Sequence, residues 1–212
     1  MAPPKEQQIL LHLPYFGPVS HFQQLLRPAG IWFENDDNYQ KQTFRNRMYI
    51  YGANGKLLLN IPIKHLPKNT ENQHQKYRDV RIEPNFPWQK HHWKSLKSAY
   101  QTSPFFEFYE DELAPLYHTS YNYLMDFNYA CFENICSCLQ LEIDFQKTSE
   151  FIKEPLEMEN KRHLINAKKE VMLPPYNQVF QEKEGFIPNL TILDLMFNEG
   201  PNSVNYLKDL NS

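Results

Sequence analysis

Residues 9–34 read ILLHLPYFGPVSHFQQLLRPAGIWFE, and this stretch decides the fold class. Residues 9–13 form a short apolar run that ends at Pro14, which is typical of a buried strand. Residues 18–27 then repeat apolar side chains at helical spacing, before a proline and a glycine that end a helix. Residues 31–34 return to an apolar strand pattern. This β-α-β order predicts a parallel strand pair and therefore an α/β fold.

The composition favours one folded domain over residues 1–212. Hydrophobic residues make up 41% of the chain and aromatic residues 15%, so the chain can bury a core. The net charge of −3 and a pI near 6.2 argue against nucleic acid as a partner. No run approaches the ~18 apolar residues of a membrane span. Residues 1–11 lack the apolar core of a secretory signal, so we expect a cytoplasmic location.

Three cysteines, Cys131, Cys136 and Cys138, fall within one predicted helix. The odd count and close spacing indicate reduced thiols rather than disulfides. Residues two apart on a helix point about 200° apart, so Cys136 and Cys138 cannot bind one metal ion together. We therefore predict no metal site at the cysteines and assign no metal ligands, the sequence identifies no cofactor, and a metal requirement stays open.

Asn54-Gly55 between two apolar runs predicts a β-hairpin with strands over residues 48–51 and 56–63. A turn made of these two residues sets Arg45 opposite Lys64, Arg47 opposite Pro62 and Tyr49 opposite Asn60. Side chains alternate along strands. The buried face would then carry Met48, Ile50, Leu59, Ile61 and Ile63, and the open face Arg45, Arg47, Tyr49, Asn60 and Lys64.

The remaining patterns complete a mixed sheet with flanking helices, for which α+β is the alternative class. We predict a strand over residues 78–83, helices over 88–100 and 119–141, short strands around 143–152 and two C-terminal helices. Pro87 suits the first turn of its helix. Thr191 and Asp194 have the spacing of a capping box, Gly200 suits a helix C-cap, and Pro201 suits the start of the next helix.

The predicted open face of the hairpin holds more positive charge than a sheet face tolerates without partners. Opposed like charges are destabilising unless an acid or a bound anion lies between them. Glu34, Asp36 and Asp37 could supply that acid, and a phosphate or carboxylate ligand could supply the anion. A solvated, ion-paired sheet surface is the plain alternative. A loop one residue longer would exchange the two faces.

Asp36 and Asp37 follow the second strand, where open α/β sheets bind ligands, and each could act as a general base. The alternative is that Asp36 and Asp37 belong to a polar turn, where such side chains cap the backbone. His92 lies on the apolar stripe of its helix. It is either a structural core residue or a general base. The candidate catalytic residues are thus Asp36, Asp37 and His92. The candidate binding residues are Tyr39, Lys41, Arg45, Asn46, Arg47, Lys64, Trp93 and Tyr100.

An ordered set of short motifs spans nearly the whole chain. It comprises PYF at 14–16, DNYQK at 37–41, RNR at 45–47, ANG at 53–55, IPIK at 61–64, WQKHHW at 88–93 and FIPNLTILD at 186–194. This combination resembles the WbqC-like protein family. The resemblance implies a place in bacterial surface-polysaccharide (O-antigen) biosynthesis, where a glycine-transferase role has been suggested for the family.

The resemblance and the charged face together favour a transferase of a small acyl or aminoacyl group onto a sugar-type acceptor. Arg45, Arg47 and Lys64 would hold an anionic donor, while Asp36 or Asp37 would orient or deprotonate the acceptor. Two alternatives stay open: a nucleotidylyltransferase-like enzyme, and a non-catalytic scaffold that binds an anionic glycan or nucleotide. The sequence does not decide the oligomeric state.

Overall fold

A computed structural model describes residues 8–26, 30–64 and 74–211. Its central sheet has four parallel strands, in the spatial order β5-β2-β1-β6. They are β1 (Gln8–Leu11), β2 (Ile31–Phe33), β5 (Phe145–Lys147) and β6 (Met158–Asn160). The predicted parallel pair is confirmed, with Ile9 opposite Ile31. Because all four strands are parallel, their carboxyl ends meet at one edge of the sheet.

Seven helices surround the sheet in the described ranges: α1 (Val19–Leu25), α2 (Trp88–Tyr100), α3 (Phe106–His118), α4 (Leu124–Cys138), α5 (Gln181–Glu184), α6 (Ile192–Glu199) and α7 (Ser203–Asp209). The bounds of α2 match the prediction, and Pro87 stands directly before it. α4 begins at Leu124 rather than at residue 119, and α3 had no counterpart in the sequence reading. All three cysteines are free thiols. The α/β class with flanking helices is therefore confirmed.

The hairpin consists of β3 (Arg47–Gly52) and β4 (Gly55–Asn60), and its predicted register was wrong. Gly52 pairs with Gly55, so the turn is Ala53-Asn54. Gly55, at φ +91°, supplies the left-handed conformation after the turn rather than inside it. The partners consequently shift by two residues, and Arg47 pairs with Asn60 rather than facing Pro62.

An even register shift leaves the alternation of side chains unchanged. The apolar face is therefore confirmed at its four buried members, Met48, Ile50, Leu59 and Ile61. The predicted opposition of Arg45 and Lys64 was wrong, since Arg45 precedes β3 and turns into the interior. The amide of Lys64 instead donates to the carbonyl of Arg81.

Two further predictions need correction. The segment predicted as a strand over residues 78–83 is a short 3-10 turn, Tyr77–Asp79, followed by isolated bridges. Thr191 and Asp194 do not form a capping box, because the Thr191 hydroxyl donates to the carbonyl of Phe16. The Asp194 carboxylate is buried and accepts hydrogen bonds from Tyr100, Tyr176 and Gln178. Gly200 ends α6 at φ +54°, as predicted.

One hydrophobic cluster joins the sheet, the hairpin and the helices among the described residues. It includes the predicted stripe of α4, whose residues Leu124, Met125, Phe132, Ile135 and Leu139 are all buried. Within the described ranges, none of the helices combines the length and apolar character needed to cross a bilayer.

Candidate functional site

The candidate site lies at the carboxyl edge of the parallel sheet. His12 follows β1 directly, Asp37 lies four residues beyond the end of β2, and Arg162 follows β6. The neighbours of β1 are β2 on one side and β6 on the other. Open α/β sheets bind ligands at this edge, where loops from adjacent strands diverge. The fold thus brings together polar residues that are distant in sequence.

His12, Asp37 and Arg45 form a compact polar cluster at this edge. Arg45 Nη2 lies 2.9 Å from His12 Nε2 and 3.1 Å from Asp37 Oδ2, while His12 Nε2 lies 3.0 Å from the same Oδ2. The Arg45 side chain is completely buried and that of His12 nearly so, whereas the Asp37 side chain is 14% exposed. Asp37 is therefore the member of the cluster that a ligand can reach.

The charge states of this cluster follow from burial. Burial lowers the pKa of His12 to about 4, against the opposing hydrogen bond with Asp37, so the imidazole is neutral at pH 7. Burial raises the pKa of Asp37, but the hydrogen bond with His12 and the positive charge of Arg45 outweigh burial and lower it. A His12 proton on Nε2 gives the carboxylate a donor, and a proton on Nδ1 leaves Nε2 to accept from Arg45.

Tyr77 and Asn128 contact Arg45 and help to hold it in the cluster. The Arg45 guanidinium lies 5.2 Å from the centroid of the Tyr77 ring. The Tyr77 hydroxyl donates to the carbonyl of Leu13, and Asn128 Nδ2 donates to the carbonyl of Arg45 at 2.7 Å. Arg45 Nε and Nη1 are buried and make no hydrogen bond to any described residue. Buried donors are normally satisfied, so these two atoms are exceptions to that rule among the described residues.

Tyr39 and Arg47 lie close to the same cluster, since the Tyr39 ring is 6.4 Å from that of Tyr77 and Arg47 is two residues along the chain from Arg45. Burial raises the pKa of the Tyr39 phenol to about 12, while the nearby charges of Arg47 and Arg45 oppose that rise. Arg47 makes no ion pair with the described residues, and its Nε is buried without a hydrogen bond. The structure therefore brings together four of the predicted site residues, Asp37, Tyr39, Arg45 and Arg47. With His12 neutral, their charges sum to about +1.

Four other predicted residues lie around this cluster in different roles. The buried Asp36 carboxylate contacts Lys76 Nζ at 2.6 Å and Arg78 Nη1 at 2.8 Å. Asn46 Nδ2 donates to Asn60 Oδ1 and to the carbonyl of Ile61, so it fixes the entry to β3. Lys41 is exposed and lines a neighbouring groove. Lys64 is also exposed, beyond the end of β4.

Three predicted residues on α2 belong to other contacts. His92 Nδ1 lies 3.0 Å from the hydroxyl of Tyr15, and burial lowers the His92 pKa to about 4. Trp93 stacks on Tyr117. The Tyr100 hydroxyl accepts from the amide of Tyr51 and donates to Asp194 at 2.7 Å. These contacts pack α2 against the rest of the core and do not bring it to the His12 cluster.

Sequence reasoning placed His12 at one end of the first strand-to-helix loop but favoured a structural role for it, and it missed Tyr77 and Asn128 as site residues. The available signal for His12 was its position at the carboxyl end of an apolar strand, where a polar residue is out of pattern. Tyr77 and Asn128 carried no such signal, because only the fold places them beneath Arg45. No group of three His, Cys, Asp or Glu residues with metal-binding geometry occurs in residues 8–26, 30–64 and 74–211.

The fold and the cluster define an α/β protein with a largely buried polar cluster at the carboxyl edge of its parallel sheet. Its sequence matches the WbqC-like protein family over residues 12–172 and 166–206, so the chain belongs to that family. It is also similar to the Uncharacterized protein Rv1507c of Mycobacterium tuberculosis. The two are 26% identical over 205 residues, which cover 82% of this chain and 85% of that protein. No solved structure matches the chain.

Proposed function

We propose that the chain is a cytoplasmic transferase that moves a small acyl or aminoacyl group, such as glycyl, onto a sugar-type acceptor in surface-polysaccharide biosynthesis. The observation that carries this proposal is the reachable Asp37 carboxylate, held by His12 and Arg45 near Arg47, which forms no ion pair with residues 8–26, 30–64 and 74–211. A carboxylate next to an imidazole suits proton transfer, and free arginine donors suit an anionic substrate. Membership of the WbqC-like family supports the biosynthetic setting.

The transfer step uses the cluster for positioning and proton movement. The acceptor hydroxyl or amine attacks the donor carbonyl carbon while its proton passes to Asp37 Oδ2. The new carbon–oxygen or carbon–nitrogen bond forms as the bond to the leaving group breaks, and the leaving group takes the proton from Asp37. His12 Nε2, 3.0 Å from that oxygen, donates to it in the starting state. Arg45 offsets the negative charge that develops on the carbonyl oxygen.

A non-catalytic protein that binds an anionic glycan or nucleotide is the second candidate. The favouring observation is the lowered pKa of Asp37, because a weakly basic carboxylate is better suited to accepting ligand hydrogen bonds than to removing protons. In that case Arg47 and Tyr39 would hold the ligand and no group would be transferred. The two candidates share one site and differ in turnover.

A transfer assay read by mass spectrometry distinguishes them. Purified protein is mixed with nucleotide sugars as acceptors and with acyl and glycyl thioesters as donors, and the acceptor mass is followed. We expect a mass increase that Asp37→Asn slows about 100-fold or more, since general-base groups contribute about that much. Lys208→Gln changes an exposed residue on α7, far along the chain, and should leave the rate unchanged.

An equal rate in Asp37→Asn would contradict the catalytic role of this carboxylate. Binding of a nucleotide sugar without a mass increase for any donor would favour the second candidate. Because the Asn side chain is nearly isosteric with Asp, the variant should still fold at the assay temperature, which circular dichroism checks.

A further inference from the structure

A groove of about 310 Å³ lies beside the His12 cluster. One wall is the segment before β3 and the other is the turn that follows β6. The groove is lined by Gln40, Lys41, Gln42, Thr43, Arg162, His163, Ile165, Asn166 and Lys168. Its volume is at the lower end of the roughly 300–1,000 Å³ typical of small-molecule sites. The transfer step proposed above does not use this groove.

The groove concentrates positive charge in a chain that is acidic overall. Lys41, Arg162 and Lys168 line it, and no acidic residue does so in the part of the chain that the structure describes. The two lysines are exposed and form no ion pair with described residues. The whole chain has a net charge of −3, so this accumulation is local. Arg162 is paired with Glu34, so the two lysines are the cations of the groove that no described carboxylate compensates, and they fit an anion.

The walls of the groove are fixed before any ligand arrives. The amide of Phe44 donates to the carbonyl of Ile165 at 2.8 Å, and Thr43 bridges Asn166. Arg162 belongs to the wall itself, because its Nη1 donates to the carbonyl of Ile152 at 2.8 Å and lies 3.3 Å from Glu34 Oε2, and its Nε donates to Asn160 Oδ1. Preformed donors lose less entropy when they bind, so a rigid groove favours affinity.

The lining chemistry matches a diphosphate. Arginine and lysine donate strong, charge-assisted hydrogen bonds to phosphate oxygens. The amides of Gln40, Gln42 and Asn166 add neutral donors around the same space. A diphosphate carries several oxygens that can use cations from both walls at once, whereas a single carboxylate cannot.

Arg162 connects the groove with the proposed reaction site. It follows β6, which pairs with β1, and His12 follows β1. The amide of Lys161 donates to the carbonyl of Leu10 at 2.9 Å, which holds the start of the groove wall beside the end of β1. A substrate anchored in the groove therefore extends naturally toward Asp37.

We propose that this groove binds the diphosphate of the sugar-type acceptor or donor, with Lys41 and Lys168 as its anchors. The proposal rests on the proposed function for its reaction, but binding can be measured without turnover. The diphosphate could belong to a nucleotide or to an isoprenoid carrier, and both offer the same group to the groove.

Isothermal titration of the full chain tests the groove with inorganic pyrophosphate, UDP and geranyl diphosphate as probes. The test variant is Lys41→Gln/Lys168→Gln, and the matched control is Lys56→Gln/Lys208→Gln, which removes two exposed lysines elsewhere. We expect pyrophosphate to bind the wild type, and to bind the groove variant about tenfold more weakly than the control. Tighter binding of UDP than of geranyl diphosphate would assign a nucleotide, and the reverse an isoprenoid.

Equal pyrophosphate affinity in the groove variant and the control would overturn the proposal, as would no binding to the wild type at millimolar concentration. Loss of binding in Arg47→Gln alone would place the phosphate at the His12 cluster, which overturns the groove but leaves the transferase proposal standing. Conversely, groove-dependent binding with no transfer activity would support the groove and count against the transferase.

Discussion

Asp37→Ala should destabilise the protein by about 3 to 5 kcal/mol. The substitution removes the only carboxylate that contacts Arg45 among the described residues and strands a fully buried guanidinium. Losing one partner of a buried ion pair costs about that much, because the remaining charge is neither solvated nor paired. Urea unfolding at pH 7.5, followed by circular dichroism, measures the change in the free energy of unfolding.

Asp36→Ala is the matched control one position away. Its carboxylate is as buried as any in the site, but its partners Lys76 and Arg78 are 44% and 47% exposed. Both cations can turn to solvent when the acid is removed, so we expect a loss of about 1 kcal/mol. The double variant Asp37→Ala/Arg45→Met should recover part of the larger loss. Equal losses for the two single variants would show that Arg45 does not depend on Asp37.

Acid should destabilise the protein by about 5 kcal/mol between pH 7 and pH 5. Burial lowers the pKa values of His12, His21 and His92 from 6.5 to about 4. Each folded-state pKa lies below the unfolded value, so the unfolded chain binds more protons as pH falls through 6.5. The stability that these neutral histidines provide is therefore present above about pH 6.5 and is lost toward pH 4.

Asp194 acts in the opposite direction. Burial raises its pKa above 3.8, although hydrogen bonds from Tyr176, Tyr100 and Gln178 oppose that rise. Protonation of Asp194 in the folded state thus offsets part of the loss. Urea unfolding at pH 7, 6 and 5 measures the slope directly. His21→Gln should flatten the slope by about a third. A change below about 1 kcal/mol across this range would mean that the three histidines are accessible to protons in the folded protein.

The sequence was sufficient for elements whose pattern is local. The β1-α1-β2 unit, α2 and the apolar face of the hairpin each repeat buried residues at a period that belongs to one structure. α3 escaped prediction because its buried positions are interspersed with acidic residues and it contains Pro115. The hairpin register failed for a different reason, since a glycine serves equally well inside a turn or just after it.

The candidate site was only partly predictable. Arg45 was expected on an open sheet face, but the residues before β3 leave the strand and turn the guanidinium inward. Its companions His12 and Asn128 come from β1 and α4, and no local pattern relates them to Arg45. The sequence did indicate the chemistry of the site. Acids and arginines are concentrated after the end of β2, at the edge where open α/β sheets bind ligands.

The most direct test of this account is a thermal-shift screen of the wild type, Arg47→Gln and Lys208→Gln against nucleotide sugars, acyl thioesters and aminoacyl donors. A ligand at a hundredfold excess over its Kd stabilises a protein by about 2.7 kcal/mol. We expect at least one of these compounds to raise the Tm of the wild type and of Lys208→Gln, and to leave Arg47→Gln unchanged. A compound that stabilises all three proteins equally would contradict a ligand site at the His12 cluster.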